Sequence, residues 1–271
     1  MDVAFARVRP ALGHDTTRQV EKVTRAQFHD RLARPCLGGR PLTKDLPENA
    51  RTIVAWESGY LQHIYPEALN ATAEKYDVLV YLTQSIGHFA FLNAPLLAAE
   101  PMGEDPDWEA LTEDIKDSIR LADVRQYEQD PRFGLIVMGE IGSKAMSPGV
   151  NDPGTAIDVI TRIGRILSNY KDETASEPKT LLAHLYVAPI DPADLLRDGF
   201  GALSRNSAGT LEVQMRLPQT LSGLMRHPDA GLCKAAQEMA KSELARALEA
   251  LTFALDKAAL IQSVDPEVQP K

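Results

Sequence analysis

The stretch from Lys144 through Met146, Ser147, Pro148, Gly149, Val150, Asn151, Asp152, Pro153, Gly154 and Thr155 to Ala156 constrains this chain more than any other. A helical pattern runs into it and another runs out. Between them lie two prolines, two glycines and a run of short polar side chains. Ser147-Pro148-Gly149 supplies the bend that ends the first helix, and Asn151 tolerates turn conformations. Asp152 is an N-cap, whose carboxylate accepts from free N–H groups of the first turn. Pro153 loses nothing at the first helical position, where the N–H has no helical partner. These residues specify a tight corner between two helices without any appeal to catalysis.

The same corner admits a functional reading. A helix N-terminus exposes N–H donors and partial positive charge, so it can hold an anion. Lys144, Ser147, Asn151 and Thr155 can converge there. Glu140 lies one helical turn before Lys144 on the same face, and Asp152 completes a polar constellation. A capping Asp, already bonded to backbone N–H groups, makes a poor general base. A ligand site and a purely structural corner both remain open on these residues alone.

Composition narrows the rest. Across 271 residues, 44% are hydrophobic and 25% charged, which suits a folded globular chain. Aromatics are only 6%, a balance that leans helical. Cys36 and Cys233 have no metal-type spacing, so reduced thiols are expected. No apolar run approaches the roughly 20 residues of a membrane helix, and no signal-peptide core is present. Residues 1–50 carry nine basic and six acidic side chains, a net of +3, while the remainder carries −12. The acidic body disfavours nucleic acid. The basic segment suits either a solvated helix or an anionic membrane face.

Patterning along the chain predicts an α+β fold, mainly α. A small β module, half-barrel-like, is followed by a multi-helix domain. Four segments are expected: a helix and linker over 1–50, the β module over 51–103, the helical domain over 104–263 and a disordered tail over 264–271. Residues 15–34 read as an amphipathic helix, and 35–50 as an irregular linker rich in Gly and Pro. Thr52–Trp56, Tyr60–Ile64, Asp77–Thr83 and Pro95–Ala99 read as strands, and Pro66 opens a short helix to Lys75. Asp107 caps a helix predicted to carry Trp108, Leu111, Ile115 and Ile119. Helices follow over 131–146, with Phe133, Ile136, Val137 and Ile141 on one face, and over 153–170. Leu181–Val187 reads as a short strand. Asp191-Pro192 starts a helix to Ser204, Pro218 kinks or breaks a helix over 209–226, and one long helix runs from Asp229 to Ile261.

Familiar catalytic and cofactor motifs are missing. The six histidines show no H-x-x-x-H or H-E-x-x-H spacing. No Rossmann, Walker-type or G-x-S-x-G motif occurs. No metal and no cofactor are expected, and Cys233 reads as helix core or flank.

Gln129-Asp130 followed by Phe133-Gly134, and Lys144 through Pro153 with Thr155-Ala156, resemble domain-of-unknown-function family 2254, the bacterial predicted membrane proteins. Gly59–Ile64, Ile86–Phe89 and Asn93–Leu96 resemble the family's β region, with a turn similar to biotinyl-type half-barrels. The resemblance covers about residues 50–260. Gly154 stands where the family usually has an aromatic, and Lys144 where it often has Arg. The module has no Met-Lys at its turn, so biotin or lipoyl attachment is not expected. The resemblance implies membrane-spanning helices as partners, missing from this chain, with residues 1–50 juxtamembrane at the cytoplasmic face of the inner membrane. It implies no activity.

Three readings follow. The first is a non-enzymatic regulatory or ligand-sensing domain, a channel or transporter accessory, binding a small anionic ligand or a partner at Glu140, Lys144, Ser147, Asn151, Asp152 and Thr155. The second is a hydrolase using Glu140 or Asp152 with Lys144 and Ser147. The third is a structural domain, homo-oligomeric through a C-terminal stripe of Leu244, Leu248, Leu251, Leu255 and Leu260.

Overall fold

Aspartates set most of the helix starts. The structure, a computed structural model, describes residues 14–175 and 181–269. Its first half holds α1 (His14–Ala33), a tight turn at Pro35–Gly38, β1 (Arg40–Pro41), β2 (Arg51–Val54), β3 (Gly59–Ile64), α2 (Pro66–Lys75), β4 (Val78–Leu82), β5 (Phe89–Ala90) and β6 (Pro95–Pro101). There follow α3 (Trp108–Lys116), β7 (Ile119–Ala122), α4 (Pro131–Ala145), α5 (Pro153–Leu167), β8 (Leu185–Val187), α6 (Pro192–Asn206), α7 (Leu211–Leu224), α8 (Ala230–Ala250) and α9 (Ala254–Ser263). Asp107, Asp130, Asp152, Asp191 and Asp229 each accept a backbone N–H in the first turn of α3, α4, α5, α6 and α8. Each such cap is worth about 1 kcal/mol.

The fold is α+β and mainly α. Its strands form two open sheets. The larger has the order β1-β8-β4-β6-β2, and the smaller β5-β3-β7. Strands β1, β8 and β4 run parallel, while β6 and β2 add antiparallel partners. β8 is thus threaded between strands from the first third of the chain. Two apolar clusters meet along this seam. One lies under the sheets and α2–α3, the other among α1 and α4–α9.

Helix α4 is the centre of the helical part, packed by α1, α5 and α6. Its glycines permit the close approach. A Cβ on Gly134 would strike Thr24 of α1, one on Gly142 would strike Leu203 of α6, and one on Gly139 would lie 2.6 Å from the Gly199 carbonyl oxygen. The buried face is therefore Gly134, Leu135, Met138, Gly139, Gly142 and Ala145. Phe133, Ile136, Val137 and Ile141, the apolar stripe visible in the sequence, are only half-buried.

Other elements depart from the sequence pattern. The helix predicted through Ile119 ends at Lys116, and Ile119 opens β7, which pairs with β3. The stretch 35–50 is not free linker. Cys36 and Leu37 are buried with left-handed φ of 49° and 54°, and β1 joins the sheet. The long C-terminal helix breaks at residues 251–253, where Leu251 and Phe253 turn extended. The break lets α9 fold back onto α7 and bury Leu260. The leucine stripe is split with it, and Leu255 is 69% exposed. Val264 and Val268, expected in a disordered tail, are buried in the helical core. The first 13 residues of the predicted N-terminal segment and the last two of the tail lie outside the described residues.

Candidate functional site

The 144–156 corner is built as its residues dictate. Val150 and Asn151 N–H groups both donate to the Ser147 carbonyl, at 3.0 and 2.9 Å, and Asp152 N–H returns to the Ala145 carbonyl at 2.8 Å. Asn151 takes a left-handed φ of 48°. Asp152 Oδ1 accepts from Thr155 N at 3.0 Å and its Oδ2 from Thr155 Oγ1 at 2.5 Å. The structure therefore joins Asp152 to Thr155, and Ser147 to Asn151. Glu140, Lys144 and Asn151 are exposed, while Ser147, Asp152 and Thr155 are half-buried.

A second corner repeats this geometry at the other end of α4. Gln129 has φ 57°, followed by Asp130 at φ −111°, ψ 83° and Pro131 as the first helical residue. Asp152 has φ −112°, ψ 83° and is followed by Pro153. Asp130 caps Phe133 N at 3.0 Å, matching Asp152 on Thr155 N. Unlike Asn, Gln gains no local bond from the left-handed region, so this backbone is held from outside. The Gln129 side chain pairs with both peptide groups of Ile64, at 3.1 Å each, and its own N–H donates to Gln27 Oε1 at 3.1 Å. This corner thus ties α1, β3 and α4 together. Asp130 is buried against Arg125 at 2.8 Å. Burial pushes its carboxyl above the ordinary range, and the Arg125 guanidinium pulls the other way.

The Gln129–Asp130 corner forms one wall of a cleft of about 210 Å³ between the two apolar clusters. The floor is the ends of β4 and β8, which are neighbours in the sheet and parallel. Thr83, Gln84 and Ser85 leave β4 there, and Ala188–Asp191 leave β8. The N-termini of α4 and α6 complete the rim. In sheets with parallel strands, the space beyond their carboxyl ends is where ligands gather, because chain direction and helix dipoles converge there. Among the described residues, the side chains of Thr83, Gln84 and Ser85 have no protein hydrogen-bond partner, although Thr83 and Gln84 are half-buried.

The charged groups at the cleft are already matched. Arg132 is held by Asp198 at 2.6 Å and Asp194 at 2.7 Å. Arg31 makes a two-pronged pair with Glu173, at 2.6 and 3.1 Å. Glu173 also accepts from Cys36 N at 2.9 Å and Ile190 N at 2.7 Å. This one buried carboxylate fixes α1, the left-handed Cys36 turn and the loop after β8. Burial, and next the charge of Glu173, push the Cys36 thiol up to about 12. No group of three His, Cys, Asp or Glu among the described residues is placed to hold a metal ion.

Sequence reasoning missed this cleft. One signal was present, since Gln129-Asp130-Pro131 prefigures Asn151-Asp152-Pro153 in residue type and spacing. Arg31 and Glu173 carried none, being 142 residues apart.

The profile of a family described as a predicted membrane protein matches residues 13–222, most of the chain. The chain belongs to domain-of-unknown-function family 2254. The family 2254 match starts well before the 50–260 range of the motif resemblance, so it takes in α1 along with the corner and the cleft. Among the described residues no helix is long and apolar enough to cross a membrane. No curated protein and no solved structure matches the chain.

Proposed function

We propose that this chain is a ligand-sensing regulatory domain of a membrane protein, at the cytoplasmic face of the inner membrane. We place its ligand in the cleft beyond β4 and β8. The observation that carries this reading is the trio Thr83, Gln84 and Ser85, polar side chains lining a cleft without a protein partner. The charges lining the cleft are paired or capping, so the chemistry favours a neutral, hydroxyl- or amide-bearing molecule over the anion expected from the sequence. At about 210 Å³ the space is smaller than a drug-sized pocket of roughly 300–1,000 Å³, which limits the ligand to a small metabolite. The loops on the cleft walls belong to both apolar clusters, so occupancy would bias how the clusters sit on each other.

A thermal-shift screen of polyols, amides and amino acids tests this. A ligand at about 100 times its Kd adds about 2.7 kcal/mol of stability, worth about 5 °C in a chain of this length. Gln84→Ala and Ser85→Ala should abolish the shift while leaving the ligand-free Tm in place. No stabiliser across the three classes, or one indifferent to both variants, refutes the assignment. Both Asp152 oxygens are engaged by Thr155, which disfavours the Asp152 version of the hydrolase reading. Glu140, Lys144 and Asn151 remain candidates for contact with a partner, because they are exposed.

A further inference from the structure

A protein of net charge −9 carries a run of basic side chains along α1. Arg18, Lys22 and Arg25 are exposed on the outer side of α1 and recur at helical spacing over about 10 Å. None of the three forms an ion pair with another described residue. Beside the end of α5, Arg25 and Lys171 both line a groove of about 430 Å³. Phe28, Leu32 and Ile166 line its apolar part. The carboxylate of Glu21 on this helix is buried and matched by Arg162 and Arg165. Asp30, beside His29, is an exposed acid on this helix, and the half-buried Asp172 adjoins Lys171. Val23 stands 39% exposed next to Lys22.

We infer that this face of α1 and α5 rests on an anionic membrane surface, with a lipid headgroup phosphate between Arg25 and Lys171. Charge complementarity selects this occupant. Anionic headgroups attract this basic face and repel the net-acidic body, so they orient the domain as well as hold it. A second copy is a poor occupant, because a two-fold pairing would set the same cations against each other. The chain's membership of a predicted membrane protein family supplies the surface. The inference does not depend on the cleft.

Co-sedimentation of the full 271-residue chain with lipid vesicles tests it. The chain should sediment with phosphatidylglycerol–phosphatidylcholine vesicles at low salt, release at high salt, and ignore phosphatidylcholine alone. The triple variant Lys22→Gln, Arg25→Gln, Lys171→Gln should lower partitioning about a hundredfold, at about fivefold per charge. Its thermal unfolding should match the parent's, which shows that it folds. Lys234→Gln with Lys241→Gln, on the exposed side of α8, should leave partitioning unchanged. Equal binding to both vesicle types, no binding at low salt, or a triple variant that still binds would each overturn the inference. So would light scattering that shows a dimer lost in the triple variant, since the face would then hold a second copy.

Discussion

Glu173→Gln should be among the most damaging conservative changes in this protein. The Glu173 side chain is 0% exposed and that of Arg31 8%, so their pairing is sealed from water. The carboxylate serves four donors: two on Arg31 and the N–H groups of Cys36 and Ile190. Glutamine keeps the shape but replaces one acceptor oxygen with an NH₂ that must face a donor. Breaking a buried pair from one side costs about 3–5 kcal/mol. Total stabilities are about 5–15 kcal/mol, so the loss is a large fraction of the whole. We expect a fall of about 4 kcal/mol in urea unfolding at unchanged m, and about 8 °C in Tm. Adding Arg31→Met to Glu173→Gln should cost less than the sum of the single changes, with a coupling of about 2 kcal/mol. A Glu173→Gln loss below about 1 kcal/mol, the scale of an exposed pair, would refute the reasoning. So would strictly additive single and double variants.

Five further outcomes follow from the same geometry. Gly139→Ala should destabilise by about 1–3 kcal/mol in chemical unfolding even though alanine is the better helix former, because its Cβ would meet the Gly199 carbonyl at 2.6 Å. Gly149→Ala, with open space around it, should stay within about 0.5 kcal/mol of the parent. Asp152→Ala should cost about 1 kcal/mol through the lost cap on α5 and leave ligand binding in the cleft intact. Alkylation followed by mass spectrometry should find Cys36 protected in the folded chain and Cys233 modified first. The Cys36 thiol is raised from 9.0 to about 12, so its contribution is fully present below pH 9. That contribution is lost as pH climbs toward 12, where the unfolded thiol ionises and the folded one does not. Cys36→Ala should therefore flatten the alkaline fall in stability.

Local chemistry was readable and long-range pairing was not. Asp caps followed by proline announce α4, α5 and α6 at the right residues, because capping is decided within one helical turn. Pro66 and Lys75 bound α2 for the same reason. Strand β7 hid behind helical spacing of Ile115 and Ile119, since short apolar runs fit either period. β1 has two residues, and tertiary partners alone make it a strand, whereas β8 lies within the strand read over 181–187. The α4 stripe misled for a steric reason. Glycine carries no hydrophobic signal, yet Gly134, Gly139 and Gly142 mark the face where backbones touch. The corner at 144–156 announced itself because its chemistry is contiguous. The cleft draws on residues from Arg31 to Asp194 and exists only after folding.

Hydrogen exchange with and without a stabiliser from the thermal-shift screen addresses the site most directly. Slower exchange should appear in the backbone amides of 83–86, 129–134 and 188–195, on both walls of the cleft. Protection confined to 144–156, with the cleft segments unchanged, would contradict the account.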